Sequence, residues 1–217
     1  MMRSRHLVPL GATALILATS VAASTAGTSP PERAVATPTC FGVAATIVGT
    51  AGRDHLTGTP DRDVIAGLGG RDVIDGRGAD DVICGGYGGD LLRGDRGDDQ
   101  LIGGEGRNTL RGGRQKDHLI GGSDPNLLYG GPGADQLQAG GSHDDALLGG
   151  PGPDRMRGGD GDDFYTAGTG RDIMTDHAGG DDHLDGGHDR NYDLARAGPG
   201  NDICTNVTDA YNCENTD

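Results

Sequence analysis

The chain has 217 residues, 33% hydrophobic and 3% aromatic with no Trp, and a formal net charge of -15. Such a composition excludes an ordinary thick globular core, and so acidic a surface without a basic stripe argues against nucleic acid and anionic membrane as partners. Only Glu32, Glu105 and Glu214 are Glu among the 33 acidic residues, so the charge is carried by Asp, which suits ordered turns and hard cations.

Residues 1–26 have the layout of a secretory signal peptide. Arg3, Arg5 and His6 precede a diluted apolar run over residues 7–23, and small residues allow cleavage after Ala23 or Ala26. The run is too short for a stable membrane span. Residues 27–39, with Pro30, Pro31 and Pro38, read as a flexible linker, and residues 40–48 as an N-terminal cap strand.

From Gly49 to about residue 205 a nine-residue phrase recurs, written G-G-x-G-x-D-x-U-x with U a large apolar residue. Turns begin at Gly49, Gly58, Gly67, Gly76, Gly85, Gly94, Gly103, Gly112, Gly121, Gly130, Gly140, Gly149, Gly158, Ala167, His177, near Gly186, and at Ala197. A fixed period of this kind predicts a stacked repeat architecture. Position eight is the one consistently apolar position, running from Leu56 and Ile65 through Leu119 and Leu137 to Met174, Leu184 and Cys204. One buried side chain per nonapeptide removes too little apolar surface to offset the ordering entropy of an isolated unit, so the units must stack. The expected fold is all-β: a parallel β-roll or β-solenoid of about eight coils, two nonapeptides per coil, with position eight in a central column and its neighbours facing solvent. Low-complexity disorder is the alternative for a chain with 43 Gly, but disorder needs no phase-locked apolar residue. Residues 206–217 form a C-terminal cap or tail.

Position six supplies the candidate metal ligands: Asp54, Asp63, Asp72, Asp81, Asp90, Asp99, Asp117, Asp135, Asp145, Asp154, Asp163, Asp172 and Asp182. Asp202 has the same phase, and Asn108 and Asn126 are the exceptions. Residues two repeats apart stack on one edge. One ladder runs from Asp63 to Asp172, with an extra residue near Ala139 absorbed as a bulge. The other runs from Asp54 to Asp182 and is interrupted at Asn108 and Asn126. Bare carboxylates at strand spacing repel by roughly 3 kcal/mol per contact at an effective dielectric of ~20, and an intervening cation reverses the sign. Calcium suits this donor set because it accepts six to eight oxygens in loose geometry, whereas magnesium demands a tight octahedron. Weaker sites are expected around Asn108 and Asn126.

These residues resemble the calcium-binding nonapeptide of the RTX, or haemolysin-type, repeat proteins. Gly85 to Asp90, Gly130 to Asp135, Gly149 to Asp154 and Gly158 to Asp163 match GGxGxD in full. The resemblance implies a parallel β-roll with calcium in paired turns and calcium-triggered folding after export, and it brings no catalytic residue. The ends, including Cys40-Phe41-Gly42-Val43 and Asn201-Asp202-Ile203-Cys204, resemble the caps of small secreted calcium-binding proteins from actinobacteria.

Four cysteines in an exported chain are expected to pair, and three pairings are open to them. End-to-end separation along an elongated solenoid favours Cys40–Cys84 and Cys204–Cys213. Paired acids such as Asp98-Asp99 and Asp144-Asp145 could imitate glycosidase carboxylates, but turn phase accounts for them and no segment outside the array has domain length. His177, His183 and His188 lie among aspartates and offer a transition-metal alternative, while Arg93-Gly94-Asp95 spells an integrin-type tripeptide that the repeat itself generates. The expected function is a secreted, non-enzymatic calcium-binding protein that folds with calcium outside the cell. A calcium-dependent adhesion or cell-envelope role, with a surface partner, is the alternative.

Overall fold

The computed structural model describes residues 37–216, with side chains through residue 214. The expected signal peptide and most of the expected linker lie outside the described residues. Among those described, every regular element is a β-strand.

Two parallel sheets of ten strands each alternate along the chain. One contains Ile47–Val48, Val64–Gly69, Val82–Tyr87, Gln100–Glu105 and onward to Asp209–Tyr211. The other contains His55–Thr57, Val73–Gly78, Leu91–Arg96, Thr109–Arg114 and onward to Asn215–Thr216. Each strand pairs with the strand two along, so each coil contributes one strand to each sheet. The stack exceeds the eight coils expected because Ile47–Val48 pairs onto the first sheet and the two last short strands extend both sheets.

The register follows the nonapeptide. Ile65 stands beside Ile83, Leu101 beside Leu119, and Leu128 beside Leu147. The position-eight column is the core: Ile65, Ile74, Ile83, Leu92, Leu101, Leu110, Leu119, Leu128, Leu147, Met174 and Leu184 are fully buried between the sheets. Position one also faces inward, since Ala139, Ala167 and Ala197 belong to the same cluster. The next residues must turn sharply, and position two takes left-handed backbone at Gly86, Gly104 and Gly131, as position four does at Gly88, Gly106 and Gly152.

Two features depart from the simple repeat. Ala139 occupies the first-residue seat, donating its N–H to Arg157 O at 2.9 Å, so the extra residue lies in the turn after it and the strand is not bulged. At the N-terminal end, an antiparallel hairpin of Thr39–Cys40 and Val43–Ala44 precedes the first roll strand. Cys40 packs with Val64 and Val82, which are thereby buried although they hold positions that face solvent farther along at Gln100 and Gln136. The disulfide Cys40–Cys84 fixes that hairpin to the sheet, and Cys204–Cys213 closes the other end.

Candidate metal centre

Each position-six carboxylate is held between two coils. From Asp72 onward its Oδ1 accepts the backbone N–H of the position-six residue one coil earlier. Asp63 N donates to Asp81, Asp81 to Asp99, Asp99 to Asp117 and Asp117 to Asp135, each at 2.8–2.9 Å. The line continues through Asp154 and Asp172. On the opposite edge Asp54 N donates to Asp72, Asp72 to Asp90, Asp90 to Asn108, Asn108 to Asn126, Asn126 to Asp145, Asp145 to Asp163 and Asp163 to Asp182. The two expected ladders are therefore present as spatial arrays. Except at Asn108 and Asn126, their rungs are N–H···carboxylate bonds, which oppose part of the anionic repulsion.

The second carboxylate oxygen is treated differently. Oδ2 of Asp72, Asp81, Asp90, Asp99, Asp117, Asp135, Asp145, Asp154, Asp163, Asp172, Asp182 and Asp202 is buried with no hydrogen-bond partner from the protein. Each points back into its own turn: a Cβ placed on Gly94 would stand 2.2 Å from Asp99 Oδ2, and one on Gly130 would stand 2.6 Å from Asp135 Oδ2. Buried carboxylate oxygens that no protein donor reaches are costly, and a repeated set of them suits a positively charged partner.

Asn108 identifies what those oxygens face. Its Oδ1 takes the ladder bond from Asp90, so the amide nitrogen occupies the place of Oδ2 in the other turns. That nitrogen donates to Gly106 O at 2.8 Å and to Gly104 O at 3.4 Å. Asn126 likewise donates to the carbonyl of Asp124. Where the turn carries Asp instead, a buried oxygen without a donor takes the place of that N–H group. A hard cation completes that geometry, which is the carboxylate-plus-carbonyl donor set calcium prefers.

The first two turns solve the same problem with protein donors. Asp54 Oδ2 accepts from Thr50 N at 2.6 Å and Thr50 Oγ1 at 2.9 Å, and Asp63 Oδ2 accepts from Thr59 N at 2.6 Å and Thr59 Oγ1 at 3.0 Å. Asp54 and Asp63 thus belong to the ladders without carrying an unpartnered Oδ2. Burial pushes the carboxyls beyond them upward: Asp117, Asp154 and Asp163 to about 8, Asp99 and Asp182 to about 7, and Asp81, Asp90, Asp135, Asp145 and Asp172 to about 6. The ladder N–H bond opposes this in every case, and for most of these groups neighbouring carboxylates add to it.

A family model described as RTX calcium-binding nonapeptide repeat (4 copies) matches residues 45–65, 57–90, 85–119, 112–144 and 139–174. The chain belongs to the RTX repeat family. Its nonapeptides bind calcium at multiple sites, and the carboxylate stacks are the corresponding feature of this RTX chain. No match is found among curated proteins.

Position-six residues of this RTX array also occur where the nine-residue phase breaks. Asp193 Oδ1 accepts from Asp172 N across 21 residues, and Asp202 Oδ1 accepts from Asp182 N across 20. Asp193 is hidden in the sequence by extra residues after Gly186 and by a small residue, Ala195, at position eight. The remaining signal is the Asp193-Leu194-Ala195 triplet itself. Among the described residues the acidic group close enough to share one ion is Asp163, Asp176 and Asp182, and it contains no histidine. His183 instead packs against Phe164 at 4.9 Å, and Arg93 of the Arg-Gly-Asp tripeptide is paired with Asp75 at 2.8 Å.

Proposed function

We propose that this protein is a secreted, non-enzymatic calcium-binding module whose roll forms when calcium enters its turns outside the cell. The observation that carries this reading is the comparison between Asn108 and the Asp turns. A neutral amide closes the turn with hydrogen bonds, whereas from Asp72 onward a carboxylate at the same place leaves a buried Oδ2 without a donor. Twelve such oxygens share two edges of one roll, and their mutual repulsion opposes folding until cations arrive. Because a preformed site does not exist in the unfolded chain, binding free energy becomes folding free energy.

Aspartates 72, 81, 90, 99, 117, 135, 145, 154, 163, 172 and 182 are the proposed ligands, joined by Asp202. Asp54 and Asp63, already supplied with Thr donors, act as starting turns with little need of an ion. Export is supported by the two disulfides and by calcium near millimolar outside cells, the range in which extracellular modules with Kd of ~10⁻⁴–10⁻³ M fill. Circular dichroism during calcium titration tests the reading. Strand signal should rise cooperatively from a largely unfolded state in chelator; full strand signal in excess chelator would refute the coupling.

A further inference from the structure

Asp176 breaks the rule that governs the first residue of every turn. From Gly49 to Ala197 that seat holds Gly or Ala, because the position-six Oδ2 shares the space with at most a methyl group. Asp176 N donates to Arg196 O at 2.7 Å, the same bond that Gly58 N makes to Asp75 O and Ala139 N to Arg157 O, so Asp176 occupies this seat. One extra residue in the following turn admits its carboxylate. The side chain is only 1% exposed.

Across from it, Tyr165 stands in a column whose other buried side chains are non-aromatic. Its hydroxyl donates to Asp176 Oδ2 at 2.7 Å and accepts from Gly158 N at 2.6 Å. Asp176 Oδ1 accepts from Ala178 N at 2.8 Å, and Gly159 N lies 3.4 Å from Oδ2. Asp163 Oδ2 is aimed into the same place: the position a Gly158 Cβ would take is 1.9 Å from Asp163 Oδ2 and 2.3 Å from the Tyr165 hydroxyl. Asp163 and Asp182, 2% and 1% exposed, each contribute an unpartnered Oδ2. One ligand oxygen from each of the three aspartates lies within 4.8 Å of the others. That span is about twice a calcium–oxygen distance, so one ion can reach all three.

We propose that Asp163, Asp176 and Asp182, beside the Tyr165 hydroxyl, form an off-repeat site for a single hard cation, calcium or a lanthanide, that fills before the repeat turns. The proposal rests on the reading of the ladders as calcium-binding and adds a ligand outside the nonapeptide. Affinity among oxygen sites rises with ligand charge and rigidity, and this site gathers three buried carboxylates where a repeat turn relies on its ladder aspartates and backbone carbonyls. A cleft of about 420 Å³ lined by Gly158, Gly159, Asp160, Asp176 and His177 brings solvent up to the Asp176 side of the site.

Terbium titration of the full chain tests it, because a tyrosine beside a bound lanthanide sensitises its emission. The first equivalent of terbium should give a tyrosine-sensitised signal that Tyr165→Phe removes. Asp176→Asn should shift that phase to roughly tenfold higher terbium or more, since even disturbing a ligand's supporting partners costs that much affinity. Asp176→Gly, which restores the residue common at this seat, should act likewise, and it carries the test if the Asn variant does not reach wild-type strand content at saturating calcium. An unchanged first phase in the folded variant would overturn the site while leaving the ladders intact. If the wild-type chain takes up neither calcium nor terbium, the ladder reading falls and this site falls with it.

Discussion

Each turn asks one question of its position-six side chain: what the second oxygen or nitrogen does. Asn108 Nδ2 donates to Gly104 and Gly106, Asp54 Oδ2 accepts from Thr50, and Asp117 Oδ2 has no partner. Asp117→Asn should therefore act in opposite directions with and without calcium. In chelator it should raise stability, by about 1–3 kcal/mol if an unsatisfied buried acceptor is replaced by a bonded amide, while calorimetry shows fewer or weaker calcium sites. Asn108→Asp should do the reverse. A variant that loses calcium affinity and calcium-free stability together would contradict the assignment. Protons are the other available cation. These carboxyls have folded pKa values raised from 3.8 to about 6–8, so their contribution favours the calcium-free fold fully below the unfolded value and is lost as pH rises through the folded values. In chelator, strand content should increase on acidification from pH ~8 toward pH ~4, read by circular dichroism; a decrease over that window would refute the sign. Calcium uptake near neutrality should release protons, measurable in weakly buffered solution. Much of this scale was legible beforehand, because the Asp phase survives sixteen nonapeptides with few breaks. Three things were not. Thr50 and Thr59 look like ordinary variation until their donors are placed, extra turn residues hide Asp193, and Asp176 shows its seat only through a backbone hydrogen bond.

The strands derive most of their apolar burial from position eight, with only small residues beside it at position one, which makes the core close to a single file. Leu119 lies between Leu101 and Leu137 in register and is fully buried. Leu119→Ala should cost about 2–5 kcal/mol, seen as a raised calcium midpoint in the strand transition, because folding and ion binding draw on the same free energy. A midpoint equal to wild type would show that the column contributes less than the turns. The N-terminal hairpin is a separate device. Replacing Cys40 and Cys84 with Ala should release it, expose Val64 and Val82, and destabilise the first coils by about 2–4 kcal/mol. Hydrogen exchange should then quicken from Ile47–Val48 to Val82–Tyr87 and leave Ala146–Pro151 protected; uniform loss of protection would mean that the clamp stabilises the whole roll. The cysteine pairing followed from where the ends of a solenoid must lie, but the apolar residues at positions 64 and 82 became intelligible only with the hairpin above them.

The molecule as a whole carries a formal charge of -15, and much of it is concentrated on two buried edges. Calcium removal should therefore expand the chain as well as unfold it, and small-angle scattering in chelator should show a radius well above that of the calcium-loaded form. Equal radii would mean that the stacks tolerate their own charge. Contacts in such a roll reach only neighbouring coils, so stability is a sum of coils and junctions. The junction between Asn108 and Asn126 is the place where adjacent coils join on one edge by neutral groups.

The ladder bonds also give the roll a direction. In every rung the N–H belongs to the earlier coil and the accepting Oδ1 to the later one, from Asp54 and Asp72 to Asp182 and Asp202. A partly formed stack therefore has unlike ends: its leading edge presents open donors ready to capture the next aspartate, while its trailing edge presents carboxylate oxygens that no earlier coil fills. For a chain that folds from its N-terminal side, every arriving repeat meets a waiting socket. A chain folding from the other side would first have to line up its carboxylates with nothing to receive them.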